Sequence, residues 1–178
     1  MFKVIGGLLV LGGVFGFLQS WIGTQKKQQM RLELFLLFLQ KSLYVMQTEK
    51  VRVIDYFKRY INQETVLLEN HDTTLNQVLE EMVRRLSSNN YPNGQMVWEE
   101  VFGESESFQF DSEVFRTIVQ AGNGFFGRSR EENIGFLKRE IKELEKQQEK
   151  IKEKHIQERK VWIPVGMLGS LMLVILFL

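Results

Sequence analysis

The chain has 178 residues, with 23 basic and 22 acidic side chains, two histidines and no cysteine. That composition excludes a disulfide scaffold, a thiolate nucleophile and cysteine-ligated zinc or iron–sulfur centres. A net charge of +1 gives no footing to a nucleic-acid binder. Length alone allows one domain, or one domain with membrane segments. The distribution of charge is more informative: 44 of the 45 charged residues fall between Thr24 and Lys160, and only Lys3 lies outside.

The first element is apolar. Val4 to Leu18 is an unbroken run of Val, Ile, Leu, Phe and Gly, continued by Gln19, Ser20, Trp21 and Ile22. A bilayer crossing takes about 20 apolar residues, so residues 1–23 read as a transmembrane helix. The competing reading is a cleaved secretion signal, since Lys3 precedes the run. Bulky Trp21 stands where small residues precede cleavage, which argues for the anchor.

Residues 24–160 read as helical, without strand alternation and with Pro92 as the single proline. Thr24 to Gln29 is polar; from Met30 the pattern turns apolar, with Leu32, Leu36, Leu39, Leu43 and Met46 at 4,3 spacing and Leu34, Phe35, Leu37 and Phe38 on neighbouring faces. A helix this apolar must be buried on most sides. Val51, Ile54, Phe57 and Ile61 continue as a shorter amphipathic stretch. Asp72 or Thr73 is placed to cap a helix carrying Leu75, Val78, Leu79, Met82 and Leu86 on one face. Ser87 to Gly94 is the clearest loop, rich in Ser, Asn, Pro and Gly. A short helix follows from about Gln95 to Phe102, then a connection over Glu104 to Gln109. A further helix is capped by Asp111 and stopped after Ala121 by Gly122.

Gly122-Asn123-Gly124-Phe125-Phe126-Gly127 has glycines at phosphate-loop density. It lacks the Lys-Ser/Thr ending and a preceding strand, so it reads as a tight helix–helix turn around a buried Phe pair. Ser129 and Glu132 form a capping box opening the last helix. There Ile134, Leu137, Ile141, Leu144, Gln148, Ile151, His155, Glu158 and Trp162 follow strict 3,4 spacing, a seam that is apolar first and polar later. With the polar stretch of the first helix opposite, this predicts two long antiparallel stalk helices and a packed bundle beyond them. A continuous helix from Arg130 to the tail is about 70 Å long at the α-helical rise. Lys138, Lys142, Lys146, Lys150 and Lys154 make a stripe beside Glu145, Glu149 and Glu153. Its plain reading is a solvated face laced by Lys–Glu contacts three residues apart; its sharper reading is a docking surface for partners or acidic lipid heads.

Residues 161–178 carry no charge and read as a second transmembrane helix, with Pro164 predicted to kink it. Lys26, Lys27, Arg31 and Lys41 follow the first apolar run, and seven Lys or Arg residues between Lys142 and Lys160 precede the second. The positive-inside bias then places the central region in the cytoplasm and both termini outside, with Trp21 and Trp162 at the same inner membrane interface. Gly12 with Gly16 and Gly166 with Ser170 are small-xxx-small pairs that would allow close helix packing; glycine is also common in membrane helices generally.

Catalytic patterns are missing. His71 and His155 are the only imidazoles and show no metal-ligand spacing. No Ser-centred elbow occurs. In Glu80-Glu81 and Glu99-Glu100 adjacent helical positions point apart. No catalytic, cofactor-binding or metal-binding residue is expected, and neither a small-molecule substrate nor nucleic acid.

Trp98-Glu99-Glu100, the Gly122–Gly127 segment followed by Arg130-Glu131-Glu132, and the Leu-rich tail after Gly166 resemble the stage III sporulation protein AB family, over nearly the whole chain. Where that family tends to show an acidic residue and a Tyr-Gly-Thr-Pro-Leu-like turn after its first helix, this chain has Leu43 to Val51; the family's usual Asp and Gln are replaced around Ser129, Arg130 and Asn133. The resemblance implies a helical bundle similar to the cytoplasmic domains of the type II secretion inner-membrane platform protein, its F-like class. It further implies membership of the secretion-like complex between mother cell and forespore, with a secretion-type ATPase and other proteins of that complex as partners. The expectation is therefore an all-α, two-pass protein of the cell membrane with its central bundle on the mother-cell side. It would be a non-enzymatic platform whose partner contacts are the Lys stripe and the loop carrying Ser88 and Tyr91. The rival expectation is a membrane-anchored helical adaptor of a division or signalling assembly, built as a two-helix rod.

Overall fold

A computed structural model describes residues 2–67, 73–88, 93–108 and 110–177. Among these, every regular element is helical: α1 (Phe2–Thr48), α2 (Val53–Leu67), α3 (Thr74–Ser87), α4 (Gly94–Glu104), a 3-10 turn (Glu106–Phe108), α5 (Ser112–Ala121), α6 (Asn123–Phe126) and α7 (Arg130–Phe177). The all-α expectation holds. His71, Asp72, Tyr91 and Pro92 lie outside the described residues. The two expected anchor segments are helical in backbone, as the first part of α1 and the last part of α7. Among the described residues, no helix is long and apolar enough to cross a membrane.

The chain forms two compact units, Met30–Gln148 and the paired segments Met1–Gln29 and Glu149–Leu178. The larger unit begins where the apolar pattern begins. In it, α3 buries Leu75, Val78, Leu79 and Met82, and α5 buries Val114, Thr117, Ile118 and Ala121. Both sets follow i, i+3, i+4, i+7 spacing, the stripe one helix face presents to a core. Helix α1 contributes Leu32, Phe35, Leu36, Phe38 and Leu39; its Leu37 points outward and is 45% exposed.

The core is predominantly aromatic. Phe35 packs edge-on to Phe102 and Phe108 at centroid separations of 5.5 and 6.0 Å. Phe38 meets Tyr60 at 5.0 Å, Phe57 at 5.7 Å and Phe125 at 5.7 Å. Trp98 joins the two groups, 4.6 Å from Phe102, 5.2 Å from Phe125 and 6.2 Å from Phe35. Rings bury the largest apolar area per residue and gain further from tilted and edge contacts. Five helical elements thus share one ring cluster.

Several local expectations are corrected. Thr73 and Asp111 stand at the N-cap positions of α3 and α5, but neither side chain makes a capping hydrogen bond. The working cap in this region is Asn93, whose side chain accepts from the Met96 N–H at 2.8 Å. Ser129 Oγ accepts from the Glu132 N–H at 3.2 Å, the forward half of the expected box. In the glycine-rich turn Phe125 is buried and Phe126 only half-buried, because the turn is itself a short helix with a single inward face. Pro164 lies inside α7.

Helix α5 ends at Ala121 with Gly122 next, as expected, but the φ of Gly122 is −56°, ordinary helical backbone. The requirement is spatial. A Cβ there would fall 2.7 Å from Trp98 Cδ1 and against the Gln95 amide oxygen. The same two residues serve the end of α5: Trp98 Nε1 donates to the Ile118 carbonyl at 2.9 Å and Gln95 Nε2 to the Val119 carbonyl at 3.1 Å. They satisfy carbonyls that a helix C-terminus leaves open. Gly122→Ala is expected to push Trp98 out of place and cost about 1–3 kcal/mol, read as a lowered thermal midpoint of the full chain in detergent; an unchanged midpoint would refute the steric account.

Candidate functional site

The sequence-predicted surface residues are placed as follows. Lys138, Lys142 and Lys146 are exposed on α7 in the larger unit, and Lys150 and Lys154 are exposed in the smaller one. Lys154 reaches Glu158 at 4.0 Å. No described ion pair joins Lys142, Lys146 or Lys150 to Glu145, Glu149 or Glu153, so the expected lacing is absent among the described residues. Glu145, one of the expected partners, instead accepts from Gln40 Nε2 on α1 at 2.9 Å. Ser88 is exposed just after α3, its hydroxyl turned back to the Arg85 carbonyl at 2.7 Å. Trp21 is half-buried in α1. Trp162 belongs to the α7 backbone, and its side chain, like Tyr91, is outside the described residues.

The α7 seam is wider than strict 3,4 spacing implies. Leu137, Ile141 and Leu144 are buried as expected, but so are Glu140 and Gln147, each 3% exposed, while Gln148 is only half-buried. Gln147 Nε2 donates to Thr117 Oγ1 of α5 at 3.1 Å, and Glu140 is held by the Arg139 guanidinium at 2.8 Å. The polar part of the seam therefore starts inside the bundle. A straight α-helix drifts relative to a 3.5-residue repeat, which brings Gln147 inward in place of Gln148.

In the smaller unit the polar stretches of α1 and α7 meet. Gln25 Nε2 donates to Glu158 Oε2 at 3.4 Å. The Gln29 amide lies 2.7 Å from His155 Nδ1; as the donor, it requires the neutral ring with its proton on Nε2. Burial pushes the His155 pKa below the usual histidine value, and nearby Arg159 and Lys154 push the same way against Glu158.

A charged cluster ties α3 to α4. The Arg85 guanidinium bonds Glu81 at 2.6 Å and also meets Glu104 and, at 3.5 Å, Glu100; Arg84 adds a second bond to Glu81 at 2.6 Å. Hydrogen bonds from Arg84 and Arg85 lower the Glu81 pKa to about 2 from 4.5. The folded-state pKa is depressed, so this carboxylate contributes stability that is fully present above about pH 4.5 and is lost as the pH falls through about 2. Glu81→Gln is expected to cost about 0.5–1 kcal/mol at pH 7, with the penalty shrinking as the pH falls from about 4.5 through about 2, checked by urea unfolding of both proteins across that range. A penalty independent of pH would show that Glu81 acts through packing.

One feature escaped the sequence. A cleft of about 360 Å³ opens where α1 ends and α7 begins, lined on its apolar side by Val45, Met46, Val51, Val53, Tyr56 and Phe125. Lys50, Arg52, Arg128 and Arg130 also line it, with Glu49 as the single carboxylate. Arg130, the first residue of α7, donates from Nε to the Met46 carbonyl at 2.7 Å and so closes the last turn of α1. The basic residues were visible in the sequence, but they lie in two segments some 80 positions apart, and only folding joins them. Among the described residues, no three His, Asp or Glu side chains are grouped as a metal ion would need.

These elements define an all-helical protein whose larger unit is built around an aromatic cluster. The chain belongs to the stage III sporulation protein AB family, whose profile matches residues 3–178, and it is a sporulation-stage protein. No curated protein and no solved structure matches it.

Proposed function

We propose that this protein is a non-enzymatic, two-pass membrane platform of a secretion-like complex between mother cell and forespore, and that it couples a cytoplasmic secretion-type ATPase to membrane components. The observation that carries the reading is the confinement of charge: 44 of 45 charged residues lie between two apolar ends, with basic residues next to both. Anchors at residues 1–23 and 161–178 would hold residues 24–160 on the cytoplasmic side. Family membership supports the sporulation setting. The compact unit Met30–Gln148 favours a platform over the rival division or signalling adaptor, since a two-helix rod has no use for an aromatic-cored bundle. No cofactor, metal, small-molecule substrate or nucleic acid enters this reading.

Partner contact is assigned to Lys138, Lys142 and Lys146, continued by Lys150 and Lys154, and to the segment containing Ser88 and Tyr91. Lys138, Lys142, Lys146 and Lys150 are exposed with no counter-ion among the described residues, which keeps their charge available for an acidic partner.

Two experiments test the reading. Because the chain has no cysteine, Ser88→Cys gives a single thiol; it should react with a membrane-impermeant maleimide only after cells are lysed. Labelling of intact cells would put the bundle outside and remove the coupling role. Triple charge reversal, Lys138→Glu with Lys142→Glu and Lys146→Glu, should lower co-purification of the secretion-type ATPase at least tenfold without moving the thermal midpoint. Undiminished co-purification would remove the stripe from the interface.

A further inference from the structure

We propose that the cleft between the end of α1 and the start of α7 seats a short acidic segment of a partner protein. Apolar side chains of that segment would enter the cleft, and its carboxylates would meet Lys50 and Arg128. The inference rests on the platform reading above and assigns it a second, separate contact.

The volume, about 360 Å³, lies in the range of pockets that bury a few side chains of a ligand. Apolar lining alone would select nothing beyond hydrophobicity. The charges give the selection. Four cations line the cleft against one carboxylate, and that carboxylate, Glu49, already accepts from Arg59 at 2.9 Å. Arg52 is balanced by Asp55 at 2.8 Å. Arg130 is engaged with backbone carbonyls, which leaves its charge uncancelled. Lys50 and Arg128 are exposed, with no ion pair among the described residues. The acidic first turn of α7, Glu131 and Glu132, does not line the cleft.

The contrast with the α3–α4 surface is direct. There Arg84 and Arg85 face Glu81, Glu100 and Glu104, so both cations are matched by carboxylates within the fold. At the cleft the positive charge is left for something else. A strand of nucleic acid would bring no side chain for Met46, Val51 or Phe125, whereas a peptide alternating apolar and acidic residues supplies both kinds of contact. The walls are preorganised: Arg130 pins α7 to α1, and Asn133 Nδ2 reaches the Phe125 carbonyl at 3.4 Å. Fixed walls reduce the ordering cost of binding.

The test uses the full chain in sporulating cells, with a benzophenone amino acid in place of Val51 at the exposed edge of the cleft. Illumination should cross-link it to one segment of another protein, and mass spectrometry should find that segment net negative with interspersed apolar residues. Lys50→Glu combined with Arg128→Glu should cut the yield at least tenfold, and lysines in place of the segment's carboxylates should restore it. Cross-links only to lipid, to a second copy of this chain, or to a neutral or basic segment would overturn the proposal. So would an absence of cross-links or a yield unmoved by the charge reversals. An unchanged thermal midpoint shows that the doubly reversed variant is folded; if it is not, Lys50→Gln with Arg128→Gln replaces it, and the same loss of yield is required. Should Ser88→Cys labelling and the Lys138, Lys142 and Lys146 reversals behave as expected while the cross-link fails, the cleft assignment falls and the platform reading stands.

Discussion

The indole of Trp98 is the piece on which the larger unit depends. It fills the junction between rings from α1, α4 and α6, and its one polar atom donates to the Ile118 carbonyl at the end of α5. A buried indole N–H without a partner costs free energy, as does a helix-end carbonyl without a donor. One hydrogen bond removes both costs. That economy also dictates Gly122, since any side chain there would occupy the space the indole needs. The packing of α4, α5 and α6 is thus one arrangement with few alternatives.

Around this fixed centre the polar groups divide into two kinds. Some are consumed by the fold: Ser42 donating to the Phe38 carbonyl, Gln147 to Thr117, Arg130 to the end of α1, and Arg85 among three carboxylates. Others, notably Lys138, Lys142, Lys146 and Lys150 of α7 and the pair Lys50 and Arg128, have no ion-pair partner among the described residues. A cation unused by its own fold costs little when solvated and remains free to attract an acidic surface. The contacts proposed above use cations of this second kind. In the smaller unit the helices meet through glutamine, histidine and glutamate, contacts weaker and more directional than apolar packing.

Much of the bundle was legible because helical periodicity reports burial directly. The face of α3 is the clear case: Leu75, Val78, Leu79 and Met82 recur at i, i+3, i+4 and i+7 with mostly polar residues between them, and all four are buried. The inward positions of α1 were harder to separate: in Leu34 to Leu39 every residue is apolar, and only the surrounding helices decide that Leu37 faces out while Phe35 and Phe38 face in. Capping residues misled for a related reason. Thr73 and Asp111 have suitable side chains at suitable positions, but a cap hydrogen bond depends on the angle at which the chain enters the helix, which tertiary packing sets.

The sequence by itself determined the helical class, the two apolar ends, the charged centre and the family, because each is a property of composition or period along the chain. Tertiary structure alone decided which of two neighbouring glutamines is buried, why Gly122 must be glycine although its backbone is ordinary helix, and that Lys50 and Arg52 share a cleft with Arg128 and Arg130. Those facts depend on distances between residues far apart in number. Such distances are fixed when the aromatic rings of several helices pack against one another, and no local pattern encodes them.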